Sequence, residues 1–262
     1  GDKWREMWLE RLNGSGLWLK QWLEHQSRDQ YWKHGSICED FSAVKIPVLA
    51  ASGWADGYSN SVFRLLANLN VPRKGLIGPW SHKYPHFGKP GPAIGFLQEA
   101  LRWWDKWLKG IDNEIMEEPM LRVWLQDYVP PTTSYSYRPG KWIGENNWPS
   151  KNVKYKSYHF GLHRILPPGK KAVDRKLTIQ SPLSVGLFAG KWCSYSVTPD
   201  LPHDQREEDG GALIFDSEPL QNDIEILGAP KIKVEFSSNK PAAMIAVRLS
   251  DIAPDDKATR AT

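Results

Sequence analysis

Two short apolar runs, Pro47–Val48–Leu49–Ala50–Ala51–Ser52–Gly53 and Gly75–Leu76–Ile77–Gly78, constrain this chain more than any other feature. Each stops abruptly in a loop with a titratable residue, Asp56 after the first and His82 after the second. A short apolar run bounded by glycine and proline is the pattern of a parallel strand buried on both faces. Between the runs, Ser59 to Leu69 places Val62, Leu65, Leu66 and Leu69 on one helical face. The order strand–Asp–helix–strand–His predicts a β-α-β unit with both residues just beyond strand C-terminal ends. Open α/β sheets bind ligands and do chemistry at that edge. An aspartate followed one such unit later by a histidine fits the last two members of a hydrolytic triad ordered Ser…Asp…His. In such a triad the carboxylate fixes the imidazole tautomer and the imidazole takes the nucleophile's proton.

The flanking regions differ in pattern. Residues 1–42 predict short amphipathic helices: Trp4, Trp8 and Leu12 recur four apart, and Asn13–Gly14–Ser15–Gly16 breaks the run. Leu19, Trp22, Leu23 and Gln26 then share a side, with Trp18 beside them. A helix–helix core is the favoured reading of these aromatic stripes, and a cap over a site is the sharper one. Ile94 to Leu108 predicts a further helix with Phe96, Leu97, Leu101, Trp104 and Leu108 inward and Gly110 as its stop. After residue 119 the pattern turns to short extended runs: Met120–Gln126, Lys154–Phe160, Arg175–Ile179, Ala212–Phe215, Asp223–Leu227, Lys231–Phe236 and Met244–Leu249. These predict a β-sandwich or jelly roll, with Thr198–Gly211 as a long surface loop and Pro254–Lys257 as a hairpin turn. The return strand of that hairpin, starting near Ala258, is cut off, so a fragment at both ends is expected.

Composition narrows the partners. The net charge of +4 comes from 34 basic and 30 acidic residues interspersed along the chain. No basic block stands out, so no nucleic-acid or membrane partner is expected. With 40% hydrophobic residues and 14 tryptophans, the chain can build a sizeable core. Cys38 and Cys193 lack metal-ligand spacing and are read as free thiols.

Several segments together resemble the cocaine esterase / X-prolyl dipeptidyl-peptidase family of serine hydrolases. Gly53–Trp54–Ala55–Asp56–Gly57–Tyr58 is similar to the family's segment bearing the triad aspartate, and Gly78–Pro79–Trp80–Ser81–His82 to that bearing the triad histidine. Phe96–Leu97–Gln98–Glu99–Ala100–Leu101, with Asp105 and Leu108–Lys109–Gly110, resembles the helix after the histidine. Arg28–Asp29–Gln30–Tyr31–Trp32 resembles the end of the helical cap. His203–Asp204–Gln205–Arg206 and Leu213–Ile214–Phe215–Asp216–Ser217–Glu218–Pro219–Leu220 resemble the C-terminal jelly roll.

The resemblance implies an α/β fold: the C-terminal part of an α/β-hydrolase sheet (43–118) after the end of a helical cap (1–42), then an incomplete jelly roll (119–262). It implies cleavage of esters, amides or dipeptides ending in proline, with no metal or organic cofactor. The chain departs from the family in lacking a Gly-x-Ser-x-Gly or Gly-x-Ser-x-x-Gly elbow; neither Ser15 nor Ser52 has the strand–elbow–helix context. The nucleophile is therefore expected upstream, and the isolated fragment is expected to be inactive.

Asp56 and His82 are the candidate catalytic residues, with His86 ranked below His82 because Tyr84–Pro85 carries it further into the loop. Trp54, Tyr58 and Trp80 are candidate pocket walls, core packing being favoured for Trp54 and Trp80. His25, His34, His159, His163 and His203 are read as surface or loop residues, and His203–Asp204 as a structural pair. The expected partner is a small ester, amide or short peptide, with an acyl esterase or amidase preferred over a prolyl dipeptidase. A homodimer and the compartment stay open, the cytoplasm being preferred. The rival reading is a Trp-rich jelly roll that binds carbohydrate or protein beside a degenerate hydrolase remnant.

Overall fold

The computed structural model describes residues 1, 3–173 and 175–261, in two units, Gly1–Lys45 and Ile46–Thr262. The first unit is helical: α1 (Lys3–Gly14), α2 (Trp18–Glu24) and α3 (Gln30–His34), followed by single 3-10 turns at Ile37–Glu39 and Phe41–Ala43. The break between α1 and α2 falls at the expected Asn-Gly-Ser-Gly stretch. Asp29 starts α3 by accepting a hydrogen bond from the Tyr31 amide at 3.0 Å. Its other oxygen contacts His25 Nδ1 at 2.6 Å, and the His25 ring stacks on Tyr31. Trp4, Trp8, Leu12, Trp22 and Leu23 remain exposed. The helix–helix core favoured by their spacing is thus not formed among the described residues of this unit: the helices share stripes but do not bury them.

The second unit opens with the expected β-α-β unit. β1 (Val48–Gly53) and β2 (Arg73–Gly78) pair in parallel, with Gly53 opposite Gly78, so their C-terminal ends lie side by side. Between them, α4 (Ser59–Asn68) buries Val62 and Leu66 against the sheet. β2 has no Cβ at the crossing point. A methyl at Gly75 would stand 2.5 Å from Leu66 Cδ1, so glycine is what lets α4 approach. β2 is almost wholly buried, whereas β1 is half-buried because it forms one edge of the sheet.

α5 (Phe96–Lys109) follows β2 and ends at Gly110, whose φ of 70° is the left-handed stop the sequence predicts. Its inward face differs from the expected one. Trp103 is buried, while Leu97, Leu101, Trp104 and Leu108 are exposed. Charged pairing sets the rotation: Glu99 accepts from Arg122 at 2.6 Å and Arg102 donates to Glu118 at 2.6 Å.

β3 (Leu121–Gln126), expected to open the β-rich region, instead joins β2 in parallel as the third strand of the α/β sheet. β4 (Gly140–Glu145) then pairs antiparallel to β3, giving the order β1-β2-β3-β4. Leu121, Val123, Ile77, Val62 and Leu66 form the core, with Ala50, Trp54, Phe63 and Trp148 packed on it.

Beyond β4, ladder pairing among the described residues is confined to two hairpins, β5 (His159–Gly161) with β6 (Arg164–Leu166) and β7 (Ser250–Ile252) with β8 (Ala258–Arg260). The second turns over Pro254–Lys257, as the sequence predicts. Arg175–Ile179, Asp223–Leu227, Lys231–Phe236 and Met244–Leu249 are not laddered strands; alternation marks which side chains share a face but supplies no neighbour. Polar contacts hold this region instead. The stretch expected as a surface loop contains 3-10 turns at Gln205–Gly211, with Gln205 and Glu208 buried. Glu208 accepts from the Gly186 and Phe188 amides at 2.6 and 3.0 Å and pairs with Arg248. Burial pushes the Glu208 carboxyl up, but the two amides and Arg248 outweigh it and hold its pKa below the ordinary carboxylate range. Asp204 accepts from the Arg206 and Ala258 amides, which fits the structural role expected for His203–Asp204. Among the described residues, no helix is long and apolar enough to cross a membrane.

Candidate functional site

The loops after β1 and β2 are tied together before any side chain is considered. Trp54 N donates to Gly78 O at 2.9 Å and Ala55 N to Trp80 O at 3.1 Å. A methyl at Gly53 would stand 1.9 Å from the Trp80 carbonyl oxygen, so the close approach of the two loops requires glycine there. Asp56 then closes a turn, its Oδ1 accepting from Tyr58 N at 3.0 Å. This leaves Oδ2 aimed across the sheet edge, 3.2 Å from His82 Nδ1. The Asp56 side chain is 11% exposed and the His82 side chain 42%. The pair therefore has a sheltered carboxylate and a partly exposed imidazole.

His86, the competing histidine, does not reach Asp56; its ring packs near Phe87 at 4.2 Å between centroids. The three aromatic candidates separate clearly. Trp80 is buried and donates to Pro92 O at 2.7 Å. Trp54 donates to Trp124 O at 2.7 Å and stacks with Phe63. Both lie beneath the loops as packing, because each indole N–H is anchored to backbone on the core side. Tyr58 is exposed, and its ring centroid is 5.8 Å from that of His82.

A segment far along the chain completes the surroundings, and the sequence spacing gave no sign of it. Ser194 N donates to Ala55 O at 3.2 Å, and His82 N donates to Ser194 O at 2.7 Å. One residue thereby bridges the aspartate loop and the histidine loop through its backbone. Its neighbours surround the pair. Tyr195 meets the His82 ring edge-on at 5.1 Å, Trp192 lies edge-on to Tyr58 at 5.3 Å, and Cys193 Sγ is 3.9 Å from Asp56 Oδ1.

Asp200 anchors this segment. Its side chain is 1% exposed, and Oδ2 accepts from the Tyr195 and Val197 amides at 2.8 and 3.1 Å and from Ser194 Oγ at 3.2 Å. Lys191 Nζ stands 2.7 Å from Oδ1. Burial alone would raise the carboxyl, but Lys191 and the two amides outweigh it and lower its pKa to about 2. The stabilisation it contributes is complete above its ordinary value of 3.8 and is lost as the pH falls toward 2. Asp200→Asn should cost about 3 kcal/mol at neutral pH, because the amides and Lys191 lose a charged acceptor. Urea unfolding of both proteins from pH 5 down to pH 2 checks this: their stabilities should converge at the acid end. A constant difference over that range would refute the anchor.

Comparison with known proteins bears on the whole chain. Residues 113–262 match the family described as X-Pro dipeptidyl-peptidase C-terminal non-catalytic domain, and residues 2–84 match X-Pro dipeptidyl-peptidase (S15 family). Cocaine esterase from a Rhodococcus strain is 20% identical over 263 residues, covering 92% of this chain and 44% of its own length. A Bacillus cereus protein named by inference as an Xaa-Pro dipeptidyl-peptidase is 24% identical over 267 residues, covering 95% of this chain and 41% of its own. This chain thus spans about two fifths of those relatives' length. A crystal structure of a CocE/NonD family hydrolase from Staphylococcus aureus aligns over 58% of this chain and 26% of its own, with a TM-score of 0.45 and 16% identity. With residues 113–262 covering more than half of its length and residues 2–84 matching the peptidase model, the chain belongs to the cocaine esterase / X-prolyl dipeptidyl-peptidase family of serine hydrolases.

Proposed function

We propose that this chain supplies the aspartate and histidine of a serine hydrolase that cleaves an acyl ester or amide through an acyl-enzyme. The nucleophilic serine comes from a segment outside these residues. The observation that carries the reading is the 3.2 Å contact between His82 Nδ1 and Asp56 Oδ2 at the C-terminal ends of adjacent parallel strands. With Nδ1–H donating to Asp56, His82 keeps the Nε2 lone pair for a serine proton. The serine oxygen attacks the carbonyl, His82 takes its proton, and the same proton passes to the leaving group as the tetrahedral species collapses. Water then repeats the sequence on the acyl-enzyme, and Asp56 stays ionised throughout.

The rest of the chain is assigned by the same reading. Residues 1–42 are the end of a cap, and 43–118 continue a hydrolase sheet whose further strands pair along the edge of β1. With β3 and β4 joined to the α/β sheet, the residues after Glu145 belong to a β jelly roll, supported by the alternating runs near Val234 and Ile245 and by the two hairpins. Exposed Tyr58, Trp192 and Tyr195 beside His82 suit an apolar group on the substrate.

The full-length protein should hydrolyse a p-nitrophenyl acyl ester in preference to Gly-Pro-p-nitroanilide. Faster cleavage of the anilide would move the assignment to the dipeptidyl-peptidase branch that the peptidase match keeps open. Turnover of neither substrate by a folded protein would leave the reading without support.

A further inference from the structure

Asp56, His82 and Cys193 each offer a ligand atom, and these atoms lie within 4.8 Å of one another. They come from three loops, so no sequence spacing announces the cluster. We propose that these three side chains bind a divalent cation of the zinc class. Tetrahedral zinc at about 2.0–2.1 Å from nitrogen and oxygen and about 2.3 Å from sulfur places its nitrogen and oxygen ligands about 3.3 Å apart and its oxygen and sulfur ligands about 3.6 Å apart. The separations here are 3.2 Å from His82 Nδ1 to Asp56 Oδ2 and 3.9 Å from Cys193 Sγ to the other carboxylate oxygen, Asp56 Oδ1, and one ligand atom from each residue lies within 4.8 Å of the others. Side-chain rotation of His82 and Cys193 toward a shared Asp56 oxygen brings the three onto one ion.

The frame holds the ligands in place beforehand. Cys193 precedes Ser194, whose backbone is bonded to both loops, and follows Trp192, whose ring lies over Gly57. Asp56 is fixed through its other bond to Tyr58 N. A thiolate, an imidazole and a carboxylate together select zinc, cobalt or copper over magnesium and calcium, which prefer all-oxygen shells. The exposed side of His82 leaves the fourth position to water.

Binding has a defined proton balance. The Cys193 thiol gives its proton to solvent, and neutral His82 presents the Nδ1 lone pair while its proton sits on Nε2. An Nε2–H cannot accept a serine proton, so occupancy of the site switches hydrolysis off. That consequence rests on the hydrolase reading; the binding does not.

Cobalt(II) added to the full-length protein tests the binding, with zinc as competitor. A thiolate-to-cobalt charge-transfer band should saturate at one ion per chain, persist in Cys38→Ala, and vanish in Cys193→Ser and in His82→Ala. Circular dichroism establishes that each variant is folded. A band that is absent from the parent, or that survives in folded Cys193→Ser, overturns the site. In the hydrolysis assay, zinc should inhibit reversibly, EDTA should restore turnover, and Cys193→Ser should raise the inhibitory zinc concentration by about tenfold or more. Equal zinc sensitivity of parent and Cys193→Ser would overturn the switch. A Cys193-dependent band without His82-dependent hydrolysis would sink the hydrolase reading and leave the cation site standing.

Discussion

His82→Ala in the full-length protein should lower kcat for ester hydrolysis by about 10⁵-fold, leaving only what transition-state binding provides without a base. The size follows from the role. In the proposed mechanism the imidazole both activates the serine and protonates the leaving group, so its loss should affect acylation and deacylation together. KM should move little, since the ring orients a proton and not the substrate. The fold should survive, because the side chain is 42% exposed and its main structural tie is a backbone bond, from His82 N to Ser194 O, which alanine retains. Kinetics at saturating ester beside a thermal melt separate these effects. A variant within tenfold of the parent would remove His82 from the mechanism. His86→Ala is the matched control and should keep its rate, because His86 packs beside Phe87 and does not reach Asp56.

The two halves of the candidate pair could be read from the sequence because the elements that carry them are locally encoded. A parallel strand buried on both faces leaves an unmistakable apolar run, and α4 has a single apolar face. α5 was less legible for a definite reason. Its residues offer two apolar stripes, one through Phe96, Ala100, Trp103 and Trp107 and another through Leu97, Leu101, Trp104 and Leu108. Periodicity cannot choose between them; the pairing of Glu99 with Arg122 and of Arg102 with Glu118 does. Cys193 and Ser194 were illegible for a different reason, since contacts bridging 137 and 113 residues leave no periodic trace. Asp200 resembled any loop aspartate, and only the fold reveals that backbone amides and a lysine converge on it.

That convergence changes how the two sequence matches relate to the site. The pair itself lies in the peptidase match at residues 2–84, yet Trp192 to Tyr195 come from the stretch matched as a non-catalytic C-terminal domain. Ser194 is wholly buried and bonds to Ser81 Oγ at 2.9 Å as well as to both loop backbones. In this chain the C-terminal region therefore helps set the distance between the aspartate and histidine loops. The alternating runs near Val234 and Ile245 are legible as faces but find no ladder partner among the described residues, because alternation alone names no neighbour.

Asp56→Asn should lower kcat by about 10⁴-fold while changing stability little. The asparagine Oδ1 can still accept from Tyr58 N, now at 3.0 Å, so the turn that follows β1 is preserved. What changes is the group facing His82 Nδ1, at 3.2 Å in the parent. An amide NH₂ there meets Nδ1–H as donor against donor. The ring resolves the conflict by moving its proton to Nε2, the nitrogen that in the proposed mechanism accepts from serine. The imidazolium also loses the negative charge that would stabilise it as it forms. Asp56→Ala should show the same rate loss with an added cost of about 1 kcal/mol, because it removes the turn acceptor too. Comparing the two variants by kinetics and urea unfolding thus divides the aspartate's effects: equal rate losses with unequal stabilities are expected. An Asp56→Asn protein that keeps a rate within tenfold of the parent would show that the carboxylate serves the turn alone.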